Sequence, residues 1–143
     1  MSPDSNKAII RTLFDKILNT RKLELLDQVV ADDFTGPHGL KGAAGFAATV
    51  KPVIAAFPDV KWTIEDIIAE GDKVVVRWSW KGTNQHSFDG FPATNKAVTH
   101  HAIHIFQFSG GKIITAWMQS DRLGFYQQIE VISQDAIKPP VKN

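Results

Sequence analysis

The chain has 143 residues, and 16 Lys and Arg against 15 Asp and Glu leave a formal net charge of +1; that length can bury a core of its own, and so balanced a charge gives no field to draw the chain onto nucleic acid or an anionic membrane. There is no cysteine, which excludes disulfide scaffolds, thiolate metal sites and thiol nucleophiles. No apolar run approaches the roughly 20 residues of a membrane span, and the opening MSPDSNKAII lacks the basic-then-apolar order of a signal peptide, so the expectation is a cytoplasmic protein with no nucleic acid and no membrane as partners.

The first half reads as helix. Ile9, Ile10, Leu13, Phe14, Ile17 and Leu18 recur at helical spacing, with Ser2 or Asp4 as cap and Pro3 suited to the first turn. Leu23, Leu25, Leu26, Val29 and Val30 suggest a short second helix, and Asp32-Asp33-Phe34 leads into a loop through Thr35 to Gly39. A third helix runs from about Gly42 to Phe57, with Pro52 starting or kinking a turn in it. The second half reads as strand. Val60 to Ile68 alternates loosely, Glu70-Gly71-Asp72 is a turn, and Val74, Val76, Trp78 and Trp80 form the apolar face of the next strand. After a Gly-, Pro- and Asn-rich loop from Asn84 to Lys96, two strands, Val98–Phe108 and Lys112–Asp121, meet at Gly110-Gly111, a strong hairpin signal. A last helix covers about Arg122 to Val131. Helices followed by an antiparallel sheet is an α+β order, one domain over residues 1–136 with a Pro- and Lys-rich tail at 137–143.

A two-residue turn at Gly110-Gly111 sets Ser109 against Lys112 and, without interruption, Phe106 against Thr115, His104 against Trp117, Ala102 against Gln119 and His100 against Asp121. Opposed side chains share a face. That face then grades from apolar at the turn to polar at its far end, where a carboxylate beside an imidazole forms a candidate acid/base pair. Burial would raise the pKa of Asp121, a protonated His100 would lower it. A slip of one residue would part the two, and Asp121, ending a strand before a helix, is also a ready N-cap.

The other histidines divide by position. His104 shares the face of His100, whereas His101 faces the opposite side. His-x-x-x-His on a strand without a third spaced ligand is no metal site, and none is expected. His38 follows Pro37 in a loop that could reach a pocket, and His86 sits in a polar loop. Of the four tryptophans, Trp117 is favoured as pocket wall through the face it shares with Asp121. P-loop, dinucleotide-binding and G-x-S-x-G patterns are all missing.

Longer stretches add a likeness. Asp33-Phe34, Ala56-Phe57-Pro58-Asp59-Val60, the run from Ile67 to Trp78, Lys81-Gly82-Thr83, Gly90 to Lys96, and Gly111-Lys112-Ile113 followed by Trp117 and Asp121-Arg122-Leu123-Gly124 occur in the order and spacing of one family. Over about Ile9 to Ile129 the chain resembles the SnoaL-like polyketide cyclases of the nuclear transport factor two-like superfamily. The resemblance implies an α+β cone, a curved antiparallel sheet with the N-terminal helices packed over its concave face and a deep pocket between. It implies ring closure by an intramolecular aldol reaction without metal or cofactor, with Asp121 in the place of the family's acid/base carboxylate. It also implies a homodimer through the outer sheet face, which here holds Ile103, Ile105, Ile114, Ala116 and Met118. Two positions depart from the family: Asn84 stands where relatives carry His after Gly-Thr, and Gln119 where the cyclases often carry His.

The expectation is therefore a cofactor-free acid/base enzyme acting on a small hydrophobic, polyketide-like carbonyl substrate. Asp121 and His100 would be catalytic, and His38, Trp78, His104, Phe106, Trp117 and Gln119 would bind substrate. A dehydratase, isomerase or hydrolase on the same scaffold, or a non-catalytic ligand-binding module, are the alternatives.

Overall fold

A computed structural model describes residues 2–137, so the expected tail lies, from Lys138 on, outside the described residues. Helix α1 (Pro3–Arg11) starts at Ser2, whose hydroxyl accepts a hydrogen bond from the Ser5 amide at 3.1 Å. It runs on into a wider π-helical segment, Thr12–Leu18. The change of winding keeps Ile10, Leu13, Phe14, Ile17 and Leu18 all buried on one side. A 3₁₀ turn at Leu23–Gln28 leads into strand β1 (Val30–Thr35), a second short turn spans Pro37–Gly39, and helix α2 covers Gly42–Ala56 with Pro52 inside it. Strands β2 (Lys61–Glu70), β3 (Lys73–Thr83), β4 (Ala97–Ser109) and β5 (Lys112–Ser120) follow, and helix α3 (Arg122–Gln128) closes the domain. Among the described residues no helix is long and apolar enough to cross a membrane.

The sheet order is β1-β5-β4-β3-β2. Four strands form the expected antiparallel meander, and β1 adds to the edge in parallel with β5. Strand β1 is where the expectation of a helix reaching Val30, with Asp32-Asp33-Phe34 as no more than the lead into a loop, fails. Its partner lies some 80 residues on, so no local pattern announces it, and two adjacent acids break the alternation. Val30 and Phe34 still turn into the core.

The concave face is built from Val74, Val76, Trp78 and Trp80 of β3 and Val98, Ala102, Phe106 and Phe108 of β4, against α1, the π-helical segment and α2. Two bulges set which residues join it. In β2 the register shifts between Ile64 and Asp66, so that Trp62, Ile64, Ile67 and Ala69 pair with inward residues of β3 and Asp66 turns outward to Arg77, at 2.6 Å. In β5 the pairing Phe108–Ile113 is followed by Gln107–Thr115, with Ile114 as the extra residue. The turn itself is as expected: Gly110 and Gly111 both have positive φ, 57° and 79°, the two-residue geometry that matches strand twist.

Candidate active site

Strong curvature leaves a hollow between the sheet and the helices. The cavity measures about 510 Å³, within the roughly 300–1,000 Å³ of small-molecule sites. Its floor is Trp78, Trp80, His100, His104 and Phe106. The π-helical segment contributes Phe14 and Leu18, α2 contributes Phe46, Val50 and Val53, and α3 contributes Phe125 and Tyr126. Besides the two floor histidines, His38, Thr49, Asp89, Ser120 and Arg122 are the polar residues that line it.

Two imidazoles interrupt the aromatic floor. Strand β4 places His100 and His104 four residues apart on the inward face, with Ala102 between them, and Trp78 lies opposite Ala102 on β3. The indole therefore sits between the two rings, its centroid 6.1 Å from each. The Trp78 Nε1–H donates to His104 Nδ1 at 3.1 Å, and His104 stacks on Phe106 at 4.4 Å and 19°. Burial lowers the His104 pKa to about 4, because an imidazolium there would lose its hydration. His100 packs against Trp80 at 5.5 Å and Phe125 at 5.1 Å. Its Nδ1 is buried with no hydrogen-bond partner. Burial pushes the His100 pKa down, the charge of Asp121 pushes it back up by less, and His101 adds a small downward push. At pH 7 both rings are neutral.

The structure brings His38, Trp78, His100, His104 and Phe106 together on one cavity and leaves Trp117, Gln119 and Asp121 off its wall. The bulge at Ile114 is the reason. It shifts β5 by one residue, so His104 pairs with Met118 instead of Trp117, and Trp117 and Gln119 pair with Ile105 and Ile103 on the outer face, where Trp117 is 51% exposed. Ala116, Met118 and Ser120 take their places on the cavity side, so Ala116 and Met118, expected on the outer face, line the hollow. The expected cross-strand pair of His100 with Asp121 is likewise absent: the Asp121 amide donates to the carbonyl of His101 at 2.9 Å. Its exposed carboxylate caps α3, accepting from the Gly124 amide at 3.0 Å. Asp121 acts on His100 only through space.

The loop between β3 and β4 supplies the groups that sequence reasoning missed. Asn84, 1% exposed, donates to the His86 carbonyl at 2.8 Å and accepts from the Thr94 amide and hydroxyl, both at 3.1 Å. This cross-brace holds a tight turn, Phe88 to Phe91, over the cavity. Phe88 sits edge-on to Phe125 at 5.3 Å and Phe91 edge-on to Tyr126 at 6.1 Å. Two of the motif pieces quoted above meet beside it. Asp59 accepts from the Thr83 amide at 2.7 Å and its hydroxyl at 2.8 Å, bonds that lower the Asp59 pKa. A Cβ on Gly82 would come to 3.0 Å from Phe57 Cβ, so a side chain there would press on Phe57. Among the described residues no group of three or more His, Asp or Glu side chains is placed to hold a metal ion.

The fold and its hollow define a cone-shaped α+β domain built around a partly open cavity of small-molecule size. The model of the SnoaL-like polyketide cyclase family matches residues 8–129, and the chain belongs to that family. It is 31% identical to a candidate polyketide cyclase from Acidithiobacillus ferrooxidans, over 90% of this chain and 97% of that one, with a TM-score of 0.78. TsrD from Streptomyces laurentii shares the fold at 22% identity, 92% and 99% coverage and a TM-score of 0.85. A SnoaL-like polyketide cyclase from Agrobacterium tumefaciens does so at 19% identity, 90% and 99% coverage and a TM-score of 0.77. No curated protein matches the chain significantly.

Proposed function

We propose that the protein is a cofactor-independent acid/base enzyme that closes a ring in a small hydrophobic poly-carbonyl substrate by intramolecular aldol addition. The observation that supports this most is His100, a neutral imidazole on the wall of an aromatic cavity with a buried nitrogen that no protein group satisfies. A neutral imidazole takes a proton from a carbon flanked by two carbonyls. The enolate carbon then forms the new C–C bond at a second carbonyl of the same chain, and the imidazolium returns its proton to the resulting alkoxide. Such a positioned base is worth about 10²–10⁴ in rate. Asp121, outside the wall, favours the imidazolium through its charge. The aromatic walls hold a planar substrate and exclude water. The working unit is a homodimer joined through the outer sheet face, where Ile103 and Trp117 are 50% and 51% exposed, and it acts in the cytoplasm.

The test is an acyclic aryl tri-β-keto ester incubated with protein and followed by mass spectrometry and NMR. Wild type should yield a cyclised isomer, and His100→Phe should slow its formation by at least about 100-fold. An unslowed His100→Phe, or hydrolysis in place of cyclisation, would overturn the assignment.

A further inference from the structure

His104 differs from His100 in that its ring is held by a neighbour. Trp78 Nε1 carries a proton and can only donate, so His104 Nδ1, 3.1 Å away, must offer a lone pair. A neutral imidazole that accepts at Nδ1 carries its proton on Nε2. Among the described residues no other group hydrogen-bonds this ring, and His104 lines the cavity. The stack on Phe106 at 19° fixes the plane in which that N–H lies. The cross-strand neighbours Val76 and Met118 bring no charge to it.

We propose that His104 is a hydrogen-bond donor of fixed tautomer, set by Trp78 as its positioning residue, and that it makes the cavity select ligands with a carbonyl oxygen at that point of the aromatic floor. Resting on the acid/base reading above, it assigns a separate role: His100 moves the proton, and His104 holds the oxygen on which the enolate charge develops. A donor aimed at that oxygen costs no reorganisation when the charge appears. Burial prevents the ring from taking the second proton that would break the bond from Trp78.

The probes are α-tetralone and tetralin, one bicycle with and without a carbonyl, and the readouts need no turnover. Nitrogen-15 NMR of the wild type should show His104 with Nε2 protonated and Nδ1 bare. Wild type should bind α-tetralone about tenfold tighter than tetralin, the worth of one hydrogen bond. His104→Phe should lose that preference. His104→Gln should keep part of it, because its amide can accept from Trp78 and donate to the ketone. Trp78→Phe should mix the two tautomers and weaken the preference, which a purely structural tryptophan would not do. A His104 protonated at Nδ1, or a ketone preference that survives in His104→Phe, would overturn the proposal. A preserved preference in wild type without any cyclisation of the keto ester would leave the donor in place and sink the enzymatic reading alone.

Discussion

At the scale of the residue, environment separates the two acid/base candidates, Asp121 and His100, and sets both apart from His104. His104 is buried against Trp78 and Phe106 and is neutral down to a pH of about 4. Asp121 stands in solvent at a helix start. His100 lies between these extremes, desolvated yet within the field of that carboxylate. The histidine shifts set a pH dependence of stability. Unfolded imidazoles take up protons near pH 6.5, whereas folded His104 does so only near pH 4. Between these values the unfolded state binds more protons, so stability is full above about pH 6.5 and falls as pH drops, by up to about 1.4 kcal/mol per unit per group. Urea midpoints across pH 7 to 4 should show this slope, and His104→Gln should flatten it. The cap is separable. Asp121→Ala should cost about 1 kcal/mol, and Asp121→Asn, an equally good cap, close to nothing. Thermal melts of the two variants check this.

Among the elements, two bulges and one loop decide what the cavity sees. One inserted residue, Ile114, exchanges Trp117 and Gln119 for Ala116, Met118 and Ser120. The turn at Gly110-Gly111 was legible, and so were the strand pair and the helix that follows it, because glycine at positive φ and alternating apolar residues are local signals. The bulge was not. The doublet Ile113-Ile114 fits either phase of the strand, and the choice rests on how β5 meets β1, far away in the chain. The faces of β3 and β4 were legible since Trp78, His100, His104 and Phe106 alternate without interruption. The loop from Asn84 to Lys96 was legible only as Gly-, Pro- and Asn-rich; its order comes from the buried Asn84 amide together with the backbone hydrogen bonds that join Asn84 to Lys96 and Asn95. Asn84→Ala should therefore destabilise the domain by about 1–3 kcal/mol. It should also speed amide hydrogen exchange from residue 84 to 96 more than elsewhere. Uniform exchange across the sheet would contradict the bracing role.

For the whole molecule, curvature is what converts a sheet and three helices into a site. A flat sheet would let the helices pack down on Trp78 and Trp80 and leave no hollow; bulged strands hold the layers apart, and Phe88 and Phe125 close the gap from the side. The outer face keeps Ile68, Ile103 and Trp117 exposed. If that face joins two copies, light scattering should give about twice the chain mass of 15.8 kDa, and Ile103→Lys with Trp117→Lys should halve it while the cavity still binds α-tetralone. Proton transfer inside the cavity is tested most directly by deuterium uptake at the α-carbon of α-tetralone in D₂O, followed by proton NMR. Wild type should accelerate the exchange over buffer, His100→Phe should lose at least about 100-fold of that acceleration, and Asp121→Asn should lose only a few-fold. Equal exchange in wild type and His100→Phe, with the loss falling on Asp121→Asn instead, would place the base outside the wall and contradict the role given to His100.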